Sequence, residues 1–266
     1  MTDRFEPRII ALITDFGTRD YYAGAMKGVI LSINSRAQII DITHEISPQI
    51  ITSASFTLRA CYVNFPKKTV FVAVVDPGVG SSRKAILVET EDYFFIAPDN
   101  GLLSFVFNET KIFRVYELSN EQFFGKTVSR TFHGRDIFAP CAAYLSKGAS
   151  PDEFGEEIFD FVRFAENKAR NVGENEIEAE IVYIDRFGNL ITNLRKGNAP
   201  ENFNLKIAET TIEKMRGFYS EVEKSEIFMI WGSAGFLEIA AFQTSAAELL
   251  NAKIGQKIIV RKLETL

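Results

Sequence analysis

Val74-Val75-Asp76-Pro77-Gly78-Val79-Gly80-Ser81-Ser82-Arg83-Lys84 is the stretch on which the fold reading turns. The run before it, residues 70–75, is apolar and β-branched with no alternation, which predicts a strand buried on both faces of an α/β sheet. Ligands in such sheets sit beyond the carboxyl ends of the strands. That rule puts Asp76 where chemistry is usually done. Gly78 and Gly80 let the backbone come close to whatever binds there.

The same design recurs upstream. Residues 9–13 form a short apolar strand closed by Thr14-Asp15-Phe16-Gly17. Met26, Val29, Ile30 and Ile33 follow at helical spacing. Residues 38–42 read as the next strand, ending Asp41-Ile-Thr-His44. Ser47-Pro48 predicts a helix start, a hydroxyl cap followed by proline, with the helix running to about Val63. Downstream, residues 85–89 and 93–96 read as strands. Asp99-Asn100-Gly101 is a turn into a short helix. Thr131-Phe-His133-Gly-Arg135-Asp136 directly precedes an apolar helix over 137–145, with Asp136 placed to cap it and Gly148 to stop it.

Strand–helix–strand order predicts an α/β fold with a mainly parallel, Rossmann-like sheet over residues 1–165. The composition turns charged and irregular over 149–175, which reads as a boundary. Beyond it, short strand-like segments at 177–184, 203–208, 227–231, 236–241 and 257–261 predict a smaller all-β, barrel-like domain over 166–266.

The chain has 266 residues, enough for two domains, and its 46% hydrophobic and 24% charged content is ordinary for a soluble globular protein. A net charge of -5 leaves no basic stripe for nucleic acid. Most of the 24 phenylalanines read as core filling. Cys61 and Cys141 lie in apolar, helix-like stretches and read as buried free thiols. No CxxC pair or Cys/His cluster suggests zinc. Residues 1–8 are polar without a signal-peptide core, and no apolar run reaches membrane-spanning length, so a cytoplasmic protein without membrane partners is expected.

Four constellations could carry chemistry. Asp76, Arg83 and His133 offer an acid, a guanidinium and an imidazole that could polarise a water; equally, Arg83 could pair with a surface acid and His133 cap a helix. His44, the only other histidine, reads as a turn or pocket-wall residue. Asp15, Asn100, Asp185 and Asn189 end strands or fill turns, where their groups suit ribose hydroxyls or an ammonium, or simply the local backbone. The stretch 78–84 suggests a phosphate cradle only superficially, matching neither the P-loop nor the dinucleotide fingerprint. Last, Asp185-Arg-Phe187-Gly-Asn189 and Trp231-Gly-Ser233-Ala-Gly-Phe236 are glycine turns that could be plain hairpins or could hold a flat ring between Phe187 and Phe236.

Taken in order, these stretches resemble one family: the S-adenosyl-L-methionine hydroxide adenosyltransferases, relatives of fluorinating and chlorinating enzymes. The resemblance rests on Ile13-Thr-Asp-Phe-Gly-Thr18, Asp41-Ile-Thr-His44, Val75-Asp-Pro-Gly-Val-Gly80 with Arg83, Ala97-Pro-Asp-Asn-Gly101, Thr131-Phe-His-Gly-Arg-Asp136, Asp185 with Phe187-Gly-Asn189, and the run from Ser233 to Ala240. It implies hydrolysis of S-adenosyl-L-methionine to adenosine and L-methionine, water attacking the ribose 5′ carbon, with no cofactor or metal. The family's catalytic set maps onto Asp76, Arg83 and His133. Asp15 would hold the ribose hydroxyls, Asp185 and Asn189 the methionine amino group and its neighbours, Ser233 the carboxylate, and Phe187 and Phe236 the adenosine faces. The halide-using relatives replace the acid and imidazole and carry an extra loop after the arginine, which is missing here. They also carry arginine where this chain has Ala234, and tryptophan where it has Gln49. The resemblance further implies a homotrimer with each site between neighbouring subunits. A non-catalytic sensor of the same nucleoside and a halide transferase are the alternatives.

Overall fold

The structure, a computed structural model, describes residues 9–263. The reading of residues 1–8 lies outside that range. The chain divides into two compact units, the first ending at Glu166 and the second beginning at Asn167.

The first unit runs β1 (Ile10–Thr14), α1 (Tyr22–Ile33), β2 (Ile39–Thr43), α2 (Ile51–Cys61), β3 (Val70–Val74), β4 (Ala85–Thr90), β5 (Phe94–Pro98), α3 (Ser104–Glu109), β6 (Phe113–Glu117) and α4 (Ala139–Ser146). Its sheet has the order β2-β1-β3-β5-β4-β6. β1, β2, β3 and β5 pair in parallel, while β4 lies antiparallel to both its neighbours. The unalternating runs are explained by burial on both sides. Ile10, Leu12, Val70 and Val72 pack with Met26 and Ile30 of α1 and with α4, whereas Ala11, Ile13, Phe71 and Ala73 pack with Ala54 and Leu58 of α2 and with α3. The phenylalanines do fill cores: Phe71, Phe95, Phe138 and Phe154 are fully buried, and Phe71 stacks on Phe95 at 5.2 Å. Part of the charged stretch read as a boundary belongs to this unit, since Phe154 is in its core and Phe161 packs on Phe107.

Two local readings need correction. The Ser47-Pro48 helix start fails: α2 begins at Ile51 without a side-chain cap, because Gln49 takes a left-handed φ of 66° that no helix accommodates. Asp136 does not cap a helix. It lies inside a π-helical turn, Gly134–Phe138, that runs into α4, and its carboxylate accepts the Ser129 backbone N–H.

The second unit contains β7 (Arg170–Asn171), β8 (Glu176–Ile184), β9 (Leu190–Arg195), β10 (Phe203–Ile207), β11 (Thr210–Ile212), β12 (Met215–Arg216), β13 (Ile227–Trp231), β14 (Phe236–Ala241), α5 (Ala246–Leu249) and β15 (Lys257–Lys262). The strands follow the path β11-β10-β15-β8-β9-β14-β13-β12, with β7 on β8. The unit is therefore not all-β: Ser245 caps the one-turn helix α5 by accepting the Glu248 N–H. Together the units are mixed α/β with two sheets. Both cysteines are free; Cys141 is buried and Cys61 half-buried, its thiol pushed by burial up to about 11. Among the described residues, no helix is long and apolar enough to cross a membrane.

Candidate active site

The first unit presents a cavity of about 390 Å³ beyond the carboxyl ends of β1 and β3, where the strand-end rule places ligands. Asp15, Gln49, Asp76, Val79, Phe132 and His133 are among the residues lining it.

Asp76 stands two residues past the end of β3. The next residues form two tight turns, with Val79 N–H donating to Asp76 O and Ser81 N–H to Gly78 O. These turns bring Arg83 back alongside Asp76. Arg83 Nε donates to Asp76 Oδ1 at 3.0 Å and Nη2 donates to Oδ2. The two side chains are only 10% and 6% exposed, so the pair is a buried, two-pronged ion pair. The guanidinium also lies over the Phe138 ring, 5.4 Å from its centroid. The same Nη2 donates to His133 Nδ1 at 2.8 Å. Two side chains of one loop and a third fifty residues further along the chain thus form one hydrogen-bonded row.

Two backbone features hold the row together. Gly80 has a φ of +77°, and a Cβ there would lie 2.3 Å from the Arg130 carbonyl oxygen. The Asp76–Arg83 loop therefore rests on the backbone just ahead of His133. Gly134 is similarly tight, with Met26, Phe132 and Phe16 at 3.2–3.4 Å from a Cβ built there. The π-helical turn aims His133 outward from this packed base, as such turns often do at functional sites.

The tautomer of His133 follows from its partner. Arginine has no acceptor, so Nδ1 must accept, and a neutral ring then carries its proton on Nε2. Burial, and next the adjacent Arg83 charge, hold this imidazole below its usual pKa, against the opposing pull of Asp76 and Asp136.

The remaining first-unit candidates have structural partners. Asp15 Oδ2 accepts the Gln49 N–H at 2.8 Å, linking the turns after β1 and β2. Buried His44 pairs its Nδ1 with Thr14 Oγ1 at 2.8 Å and sets Nε2 3.1 Å from Asp41 Oδ1. Asn100 Nδ2 donates to Val75 O and its Oδ1 accepts the Leu102 N–H, so it pins the peptide just before Asp76.

The second unit has its own cavity of about 790 Å³, lined in part by Asp185, Phe187, Asn189 and Ser233. Both volumes fall within the ordinary range of small-molecule sites. Asp185 Oδ1 accepts the N–H groups of Phe187 and Asn189, and Oδ2 accepts Asn189 Nδ2, each at 2.9 Å. This closed turn projects Phe187, which is 76% exposed. Gly188, at φ 82°, lets the turn press on Ser245, whose Oγ lies 2.1 Å from a Cβ built there. Ser233 stands exposed in the turn between β13 and β14. Phe236 is elsewhere: it is buried on β14, with the Arg195 guanidinium 4.5 Å from its ring centroid, and does not line this cavity. Tyr219 lines the cavity without having been noted in the sequence, and Trp231 and Glu238, which fall inside noted stretches, line it without having been given a role there. For Glu238 a signal existed, an acid in the middle of the apolar strand 236–241.

Two family models match the chain: the SAM hydroxide adenosyltransferase N-terminal domain over residues 10–155 and the C-terminal domain over residues 179–259. A protein of Methanocaldococcus jannaschii named (R)-S-adenosyl-L-methionine hydrolase is 39% identical, over 91% of this chain and 92% of that protein. A protein of the same name from Thermus thermophilus is 31% identical, over 94% of this chain and 98% of its own length. Among solved structures, an uncharacterized conserved protein from Thermotoga maritima superposes with a TM-score of 0.89 at 36% identity, over 95% of this chain and all of that one.

Proposed function

The chain belongs to the SAM hydroxide adenosyltransferase family, and on that premise we propose that it hydrolyses S-adenosyl-L-methionine to adenosine and L-methionine. The observation that carries the reading is the hydrogen-bonded row Asp76–Arg83–His133 at the wall of a ligand-sized cavity. Water oxygen attacks the ribose C5′ and forms the new C–O bond. The C5′–S bond breaks, and its electron pair returns to sulfur, which becomes a neutral thioether. Because the sulfonium is already a good leaving group, no acid is needed to protonate it. The site must instead align and partly desolvate one water.

In this reading His133 donates from Nε2 to the water oxygen and orients a lone pair toward C5′. With Nδ1 accepting from Arg83, the ring is not the base. Asp76 takes the proton, since each of its oxygens keeps acceptor capacity beside its bond to Arg83. Arg83 fixes both partners and keeps the imidazole neutral. Asp15 turns its carboxylate to the ribose hydroxyls, and Phe187 and Ser233 serve the nucleoside and the methionine carboxylate. The reaction as read here calls on no metal or cofactor and takes place in the cytoplasm. Arg83 is followed almost at once by β4, so the connection lacks the extra loop of the halide users, which supports water as the nucleophile.

We further place the two cavities at one composite site, each contributed by a different subunit of a homotrimer. The reading is tested by incubating purified protein with the substrate and separating products by chromatography. Adenosine and methionine in equal amounts, abolished by Asp76→Asn, are expected. Tight binding without either product would select a sensor, and halide-dependent formation of a 5′-halo nucleoside would select a transferase.

A further inference from the structure

Two consecutive residues of one turn hold both ends of the loop that carries Asp76 and Arg83. Asn100 donates from Nδ2 to the Val75 carbonyl at 2.9 Å, just before Asp76. Asp99 donates its backbone N–H to the Lys84 carbonyl at 2.9 Å, just after Arg83. Neither residue lines the first-unit cavity, so neither meets a ligand there.

This turn is clipped from outside by the last segment of the first unit, residues 160–166, which has no helix or strand of its own. Asp99 Oδ1 accepts the Val162 N–H at 2.8 Å. Ser104 Oγ, at the start of α3, accepts the Phe164 N–H at 3.0 Å, and Asn108 Nδ2 donates to the Phe164 carbonyl at 3.0 Å. Between these bonds the Phe164 ring lies against Gly101: a Cβ built there would stand 2.0 Å from Cε2, at a φ of +90°. Lys84 Nζ donates to Asp160 Oδ2 at 2.8 Å, which ties the segment to the far end of the loop as well. Its backbone groups are thus satisfied by the turn and by α3.

The polar groups suit holding rather than reaction. Asn100 uses Oδ1 on its own turn, accepting the Leu102 N–H at 3.2 Å, and directs Nδ2 to the loop. Burial raises the Asp99 pKa above the usual carboxylate range, against the pull of the Val162 N–H and of Lys84. What Asp99 offers Val162 is an acceptor, which a neutral amide would also supply.

Resting on the hydrolase reading, we propose that Asp99 and Asn100 are positioning residues: through the carbonyls of Lys84 and Val75 they fix the two ends of the 76–83 loop, and residues 160–166 lock them there, so that Asp76 and Arg83 meet His133 in register.

The test compares the full chain with its Asn100→Ala, Asp99→Ala and Asp99→Asn variants. The measurements are steady-state kinetics with S-adenosyl-L-methionine, calorimetric binding of adenosine, and NMR titration of the histidine rings. The chain has two histidines, and His133→Asn identifies the His133 signal. Both alanine variants should lower kcat by about ten- to a hundredfold, the cost of a small misplacement at the reacting centre, with adenosine affinity unchanged. Among the charges facing the His133 ring, Arg83 outweighs Asp76 and Asp136. As Arg83 leaves the ring, the His133 midpoint should therefore rise toward the ordinary histidine value, while His44 keeps its own. Asp99→Asn should match the wild type in all three measurements, because its Oδ1 still accepts from Val162. An unmoved His133 midpoint or kcat in both alanine variants overturns the proposal. So does an Asp99→Asn as impaired as Asp99→Ala, which would assign the effect to charge. Loss of adenosine binding together with kcat would assign both residues to folding and overturns it too. A wild type without turnover overturns the hydrolase reading, and the His133 midpoint then decides the positioning by itself.

Discussion

At the scale of single residues, the chemistry depends on which lone pairs are already taken. His133 works as drawn only while Nδ1 is unprotonated, because its partner is a guanidinium. Protonation would remove the acceptor and set two cations side by side. Since burial and Arg83 lower the pKa, the neutral form persists below the ordinary histidine value of 6.5. The acid limb of the kcat/KM profile should therefore lie below that value, with activity lost as the pH falls through it. The sign for stability is the same: a lowered folded-state pKa stabilises the fold above the ordinary value and loses that contribution on acidification. A limb above 6.5, or one unchanged in His133→Asn, would contradict the assignment. The candidates Asp76, Arg83 and His133 were legible in the chain from strand-end position and residue chemistry. For Asp15 and Asp185 engagement by the local backbone was one of two open readings, because residue type does not say which acceptors the backbone consumes.

At the scale of elements, β1 and β3 were readable from their unbroken apolar runs, since burial on both faces leaves no alternation. Ser47-Pro48 and Asp136 misled for the opposite reason. Caps are local signals, and here tertiary contacts at Gln49 and Ser129 overrode them. β6, β7, β9, β11 and β12 were missed, β9 because its glycine turn was read as the whole feature. The element on which the site depends most is the loop from Asp76 to Arg83, seated through Gly80 on the Arg130 carbonyl. Gly80→Ala adds a left-handed alanine, at about 1 kcal/mol, and a backbone clash that must push the loops apart. Arg83 would then lose His133, and kcat/KM should fall by about a hundredfold with a modest drop in melting temperature, read by steady-state kinetics and a thermal melt. Unaltered kinetics would mean that the two loops need not touch.

At the scale of the whole molecule, the Asp76–Arg83–His133 row lies in the unit ending at Glu166 and the aromatic, acid-lined cavity in the unit beginning at Asn167. The two-part organisation was visible as a change of period along the chain, whereas α5 was too short to leave a periodic trace. If the site is completed by a neighbouring subunit, Asp76→Asn and a second-unit variant such as Phe187→Ala should each be impaired alone. Refolded together, they should recover part of the wild-type rate, because some mixed sites contain both native halves. Light scattering should give a trimer mass. A monomer, or no recovery on mixing, would contradict the shared site.

A water oxygen held by Asp76, Arg83 and His133 should end on the ribose 5′ carbon. Turnover in water enriched in oxygen-18, followed by mass spectrometry of both products, tests it most directly. One heavy oxygen is expected in the 5′-hydroxyl of adenosine and none in methionine; unlabelled adenosine, or label in methionine, would rule out attack of water at C5′.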